Sequence, residues 1–152
     1  MEGKLIFSFI SSIPFFREFT HAEKDVLVNM DGIFLKFQPS QLIIREGDQD
    51  ESLFILLRGS VNITKMSQPH VVLASLKAGA MFGEITLISP RARTTNAVAA
   101  TEVIVMQINK EMIEKFDPVL QKKFQNQMIQ LLVQRLDQAN ARITQLLQSA
   151  ET

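Results

Sequence analysis

A chain of 152 residues with 46% hydrophobic and 21% charged side chains has the composition of one ordinary globular domain, and leaves no room for a second large one. Sixteen basic and sixteen acidic residues cancel, so no net field draws the chain toward nucleic acid or anionic lipid. The absence of cysteine excludes disulfides, thiolate metal sites and thiol nucleophiles, and two histidines, His21 and His70, are too few for a His-rich metal cluster.

Hydrophobic spacing is helical to about Asp31, alternates in short runs to about Ile108, and is helical again to the end. The apolar stretch from Leu5 to Phe16 is broken by Ser8, Ser11, Ser12 and Pro14 and is too short to span a bilayer. Glu2 stands where a signal peptide would be basic, and no small-residue cleavage site follows, so the expected location is cytoplasmic with no membrane association. Thr20-His21-Ala22-Glu23 has the form of a capping box and predicts a helix through Asn29.

Strand-like runs follow at Phe34, Leu42 to Ile44, Leu53 to Leu57, Val61 to Ile63, Val71 to Leu76 and Val103 to Ile108. Gln38-Pro39-Ser40, Gly47-Asp48, Arg58-Gly59 and Lys77-Ala78-Gly79 punctuate them, and Leu57-Arg58-Gly59-Ser60 is predicted to be a tight hairpin. Many short strands at regular spacing between helical zones predict an α+β fold, a jelly-roll-like β-barrel flanked by an N-terminal helical segment and C-terminal helices.

After the last strand Asn109 is placed to cap a short helix to about Phe116, and Asp117-Pro118 sets a capping carboxylate before a proline at the first helical position. The helix that follows can run to Leu147, roughly 45 Å at the α-helical rise, more than the core of so small a domain needs. The expected division is therefore residues 1–117 for the barrel with its N-terminal helices and hinge helix, and residues 118–152 for the long helix. In it Ile129, Leu132, Leu136, Ala139, Ile143 and Leu146 alternate spacings of three and four, the seam of a two-stranded coiled coil, which predicts a homodimer. The alternative is one amphipathic helix lying on its own barrel. A separate stripe of Leu120, Phe124, Met128 and Leu131 suits docking on the barrel.

One segment carries chemistry: Phe82-Gly83-Glu84-Ile85-Thr86-Leu87-Ile88-Ser89-Pro90-Arg91-Ala92-Arg93-Thr94-Thr95. Gly83 lets backbone approach a ligand, and a short helix starting there and ending before Pro90 would aim free N–H groups at an anion. Arg93 can add a charge-assisted fork to phosphate oxygens, with the Thr94 hydroxyl as a further donor. Glu84 has the wrong sign for phosphate, but a carboxylate accepts from a ribose hydroxyl, so the pair of charges describes a sugar-phosphate.

These residues resemble the phosphate-binding cassette of the cyclic-nucleotide-binding domain family, shared by catabolite activator protein, the regulatory subunits of cyclic-AMP-dependent kinase and cyclic-nucleotide-gated channels. The similarity runs from about Ser12 to Arg135 and takes in the Ile44-Arg45-Glu46-Gly47-Asp48 turn and the Leu57-Arg58-Gly59-Ser60-Val61 corner. The resemblance implies that the amides of Gly83 and Ile85 contact the cyclic phosphate, that Glu84 binds the ribose 2'-hydroxyl, and that Arg93 is the phosphate arginine. It further implies that Thr94 serves phosphate or a guanine base and that Leu73 and Ile63 are apolar pocket walls. Phe82 and Thr95 complete the ligand-binding set. Pro90-Arg91-Ala92 also imitates the family's Pro-Arg-Ala, which leaves Arg91 as a competitor, but Arg93 has the better spacing from Phe82-Gly83-Glu84 and to Thr101. Thr95 and Asn96 depart from the family's small and hydroxyl residues and would narrow the pocket. Arg135 and Asn140 are candidates for capping the base.

The implied function is a cyclic-nucleotide sensor, cyclic AMP first and cyclic GMP second, in which a hinge near Asn109 to Phe116 moves the long helix. The ligand is the nucleotide, with no separate cofactor and no metal. The chain ends before any helix-turn-helix, so an unknown effector protein or domain is the expected output partner and nucleic acid is not. Two rival readings are a dimerisation or scaffold domain of the same fold that no longer binds nucleotide, and a small barrel enzyme. No Walker A sequence, nucleophile elbow or metal-ligand spacing supports an enzyme.

Overall fold

The computed structural model describes residues 3–89 and 91–151. The chain divides into two compact units that meet between Phe116 and Asp117.

The first unit opens with helix α1 (Gly3–Ser12), a single 3-10 turn (Pro14–Phe16) and helix α2 (His21–Val28). The capping box is formed as expected: the Glu23 N–H donates to Thr20 Oγ1 over 3.1 Å, and the Thr20 N–H donates to Glu23 Oε1 over 2.8 Å. Ile6 and Ile10 on α1, Leu27 on α2 and the Phe15, Phe16 and Phe19 cluster are buried.

Eight strands follow: β1 (Phe34–Phe37), β2 (Leu42–Ile44), β3 (Leu53–Arg58), β4 (Ser60–Thr64), β5 (Ala74–Lys77), β6 (Met81–Phe82), β7 (Asn96–Ala99) and β8 (Val103–Ile108). They form two antiparallel four-stranded sheets, ordered β1-β8-β3-β6 and β2-β7-β4-β5, the interleaved order of a jelly roll. Phe54, Leu56, Phe82, Val103 and Val105 from the first sheet pack with Ile44, Val61, Ala97 and Ala99 from the second as one core. Strand side chains alternate between faces, so Leu53, Ile55 and Leu57 point away from that core, yet they too are buried, because α1 packs beside β3 on the outer side. This is why Leu53 to Leu57 reads as a continuous apolar run.

The strand expected over Val71 to Leu76 is Ala74–Lys77, because the ladder with β4 begins only at Ile63 and Ala74, and Val71, Val72 and Leu73 lie about half exposed before it. Strands β6 and β7 lie outside the strand-like runs of the sequence: β6 has two residues, and β7 buries small Ala97 and Ala99, which give a weak alternation. The predicted hairpin at Leu57 to Ser60 is a different device. β3 pairs with β6 and β8 while β4 pairs with β5 and β7, so Gly59 carries the chain round a corner from one sheet to the other.

Helix α3 (Glu84–Ile88) lies between β6 and β7, and helix α4 (Lys110–Glu114) follows β8. Asn109 Oδ1 accepts from the Met112 N–H over 2.8 Å, a side-chain N-cap on a helix of barely more than one turn. Asn109→Ala is expected to cost about 1 kcal/mol, lowering the melting temperature by roughly 2–4 °C. Hydrogen exchange should quicken at the α4 amides first; unchanged exchange there would show that the cap does not hold the helix.

The second unit is helix α5 (Pro118–Ala150), 33 residues long, with Asp117 Oδ1 accepting from the Leu120 N–H over 3.0 Å and Pro118 at the first position. Leu120, Phe124, Gln127 and Met128 are buried, Leu131 and Leu132 are half-buried, and Ile129, Leu136, Ala139, Ile143 and Leu146 are exposed. Val133 and Leu147 widen that exposed apolar stripe. Among the described residues no helix is long and apolar enough to cross a membrane.

Candidate functional site

Phe82 ends β6 with its ring stacked on Phe54, centroids 5.2 Å apart, which anchors the start of the cassette in the core. Gly83 then turns the chain at φ +77°, in the left-handed region that favours glycine. A Cβ there would lie 2.9 Å from Arg93 Nη1 and 3.1 Å from Ile44 Cδ1, so the position also needs the missing side chain to let Arg93 approach. Glu84, at the first position of α3, is buried, and Ile85 follows it in the same helix. Pro90 lies outside the described residues.

Two backbone bonds fix the loop that carries Arg93. The Arg93 N–H donates to the Asp48 carbonyl over 2.9 Å, and the Gly47 N–H donates to the Arg93 carbonyl over 2.8 Å. The Glu46 N–H donates to Asn96 Oδ1 over 2.7 Å, and the Met66 N–H donates to Glu46 Oε2 over 2.8 Å. The Ile44 to Asp48 turn is thereby joined to the cassette on one side and to the turn after β4 on the other. Asn96, a departure from the family pattern, is buried and acts as a link between loops.

The side chain of Arg93 is 4% exposed, whereas Arg91 is exposed. Its Nη1 donates to the Gly83 carbonyl over 2.8 Å and to Thr86 Oγ1 over 2.6 Å. Its Nη2 donates to the Ser52 carbonyl over 2.5 Å and to Asp50 Oδ2 over 3.2 Å. The structure therefore brings together Phe82, Gly83 and Arg93 from the expected set, and adds Thr86, Asp50 and Ser52, which sequence reasoning did not single out. Thr86 had a signal, a lone hydroxyl in the apolar run Ile85-Thr86-Leu87-Ile88. Asp50 and Ser52 had none beyond a polar loop before β3.

Thr94 is exposed and Thr95 half-buried. Ile63 is half-buried on β4, and Leu73, half exposed, lies beside it with its N–H donating to the Ile63 carbonyl over 2.8 Å. Arg135 and Asn140 belong to the second unit, where Arg135 is half-buried and Asn140 exposed.

Residues 34–117 match the family described as cyclic nucleotide-binding domain. The chain belongs to that family. It is 31% identical over 127 residues to a cGMP-dependent protein kinase of Toxoplasma gondii, a stretch that covers 83% of this chain and 12% of the kinase. It is 29% identical over 82 residues to the cyclic nucleotide-gated channel beta-3 of Canis lupus familiaris, covering 52% of this chain and 10% of the channel. The chain thus spans about one eighth or less of the length of these curated relatives. Among solved structures, a cyclic nucleotide-binding domain from Methylobacillus flagellatus superposes with a TM-score of 0.75 at 23% identity, covering 93% of this chain and 82% of that one. The catabolite activator protein of Thermus thermophilus gives a TM-score of 0.68 at 22% identity, covering 88% and 62%. At these identities the structural likeness speaks for the fold. Within the family frame, the segment from Phe82 to Thr95 lies wholly inside the matched region, as do Ile63 and Leu73, whereas Arg135 and Asn140 fall beyond it.

Proposed function

We propose that the chain is a regulatory module that senses a cyclic nucleotide, with cyclic AMP the first ligand and cyclic GMP the second. The observation that carries this reading is the buried Arg93 fork held against Gly83 at the start of α3. An arginine desolvated beside close-approaching backbone is suited to a phosphate, and the buried carboxylate of Glu84, next to Gly83 in the chain, is suited to a ribose hydroxyl. Relatives named as cGMP-dependent kinases and solved neighbours named as cAMP complexes support both nucleotides as candidates. In this reading Gly83 and Ile85 offer backbone amides, Thr94 and Thr95 line the phosphate side, Phe82 backs the cassette, and Ile63 and Leu73 form the apolar wall. Arg135 and Asn140 are the candidates for contacting the base, α4 is the hinge, and the module itself carries out no catalysis.

Competition against a fluorescent cyclic nucleotide tests the assignment. Glu84→Gln is expected to weaken binding by about 1 kcal/mol, because an amide oxygen still accepts but without charge. The 2'-deoxy nucleotide should lose affinity to the parent chain; equal affinity for the two would remove Glu84 from the ribose role.

A second reading has its own observation. All four η N–H groups of Arg93 already have acceptors inside the protein, as a domain that had given up its ligand would require. No binding by either nucleotide to the refolded chain would favour that scaffold reading.

In both readings we assign α5 to a homodimer through Ile129, Leu132, Leu136, Ala139, Ile143 and Leu146, a stripe of coiled-coil period that is exposed except at the half-buried Leu132. Leu136→Lys is expected to turn a dimer into a monomer in sedimentation velocity while leaving the melting of the barrel unchanged. A parent chain that sediments as a monomer at all concentrations would contradict the assignment.

A further inference from the structure

At about 3.6 residues per turn, Ile129, Val133, Leu136, Asn140, Ile143 and Leu147 of α5 fall within an arc of about 80°. Their spacings alternate four and three, so they form a coiled-coil seam that shares Ile129, Leu136 and Ile143 with the one read in the sequence and lies beside it on the helix. Exposure favours this second seam: its five apolar members are each more than half exposed, whereas Leu132 of the first is half-buried. In heptad terms Val133, Asn140 and Leu147 take a positions, and Ile129, Leu136 and Ile143 take d positions.

Asn140 is the one polar member of the six. Its backbone carbonyl accepts from Thr144 Oγ1 over 3.0 Å, and among the described residues its exposed side-chain amide has no partner. An apolar surface laid on the stripe would bury that amide unpaired, at the cost of desolvating it. A second copy of α5, parallel and in register, is the occupant that removes this cost. An a residue then faces its own counterpart, and a side-chain amide carries both the donor and the acceptor that its counterpart requires. In an antiparallel pair a residues face d residues, and every d residue here is Ile or Leu, so Asn140 would meet no polar group. The antiparallel alignment that keeps all six residues in contact would also set Asp137, exposed beside the stripe, against its own copy.

We propose that Asn140 sets the number and the direction of the helices in the homodimer, through a reciprocal pair of amide hydrogen bonds with Asn140 of the second copy. The inference rests on the homodimer assignment and adds what the apolar residues leave undecided. Ile129 and Ile143 at d, with Leu147 at a, suit three or four strands as well as two, and one buried amide pair selects two at some loss of stability. A side chain engaged in this way does not reach a nucleotide, which leaves Arg135 as the candidate for contacting the base.

Two measurements on the full chain test the proposal. Asn140→Ile is expected to move sedimentation equilibrium from dimer to trimer or larger species that resist dilution better than the parent; a variant that stays a dimer overturns the role of Asn140. The chain has no cysteine, so a single Leu147→Cys reports direction. Mild oxidation should link most copies into disulfide-bonded dimers, because two cysteines at this position come within bonding distance only in a parallel, in-register pair. Val133→Cys, at the other end of the seam, should behave alike and covers the case in which the first replacement loosens the pair. A dimer in which neither cross-links overturns the alignment and keeps the homodimer. A parent chain that is monomeric at every concentration overturns the homodimer and this inference with it.

Discussion

Arg93→Ala is expected to weaken cyclic-nucleotide binding by ~2–5 kcal/mol, roughly 30- to 4,000-fold, the usual cost of truncating one member of a desolvated, hydrogen-bonded charge pair. Arg91→Ala, two residues away in the chain and exposed, should change affinity by less than about twofold. Both arginines sit in Arg-x-Arg; spacing within the cassette favours Arg93, and burial separates it from the exposed Arg91. Removing the Arg93 side chain also leaves the Ser52 and Gly83 carbonyls without that donor, so part of the change will be structural. Arg93→Lys distinguishes the contributions: a cation remains, the fork does not, and a loss of affinity with little loss of thermal stability would locate the effect in the ligand contact. An unchanged affinity in Arg93→Ala, or a larger loss in Arg91→Ala, would move the phosphate role away from Arg93.

The second large effect is on folding. Gly59→Ala is expected to destabilise the barrel by about 3 kcal/mol or more, from backbone strain and collision together. Gly59 has φ +91°, and a Cβ there would run into the Glu102 carbonyl oxygen, with Thr101 Oγ1 and Val103 Cγ1 both at 2.8 Å. These atoms belong to the β7–β8 connection and the start of β8, whose backbone is fixed by pairing with β1 and β3. The neighbourhood therefore has little freedom to move aside. Gly47→Ala is the control: Gly47 has φ +92° but no atom within 4 Å of the added carbon. It should cost only the left-handed strain of about 1–2 kcal/mol. Thermal melts of the two variants should differ by several degrees in that order. Equal melting temperatures would show that the corner yields and that only the backbone angle matters.

Much of this architecture was legible in the residues. Caps are local chemistry, and Thr20, Asn109 and Asp117 each accept from the backbone amide three residues on, as the sequence predicts. Leu53 to Leu57 and Val103 to Ile108 announce buried strands because both faces of the sheet they share are covered. The Gly59 corner differs from the predicted hairpin for a physical reason: a glycine between two apolar runs looks the same whether the chain pairs with itself or crosses to another sheet. Which of the two occurs depends on partners in β7 and β8 that lie some forty residues on. β7 is not legible in the sequence because its buried face is alanine, small enough for close sheet packing but weak as a periodic signal.

The site divides in the same way. Phe82, Gly83 and Arg93, which the structure brings together, stand within one segment of sequence, but acceptors that hold Arg93 come from Asp50 and Ser52, over forty positions away, brought there by the pairing of β3 with β6. No local pattern distinguishes those residues from any other polar loop. The self-satisfied state of Arg93 is thus visible only in three dimensions.

The most direct test is a calorimetric titration of the chain, unfolded and refolded to remove any carried ligand, with cyclic AMP and with cyclic GMP, the Arg93→Ala variant run alongside. Saturable heat with one nucleotide preferred, lost in Arg93→Ala, is the predicted result. No heat and no rise in melting temperature with either nucleotide would contradict the sensor and leave a scaffold whose arginine serves only its own fold.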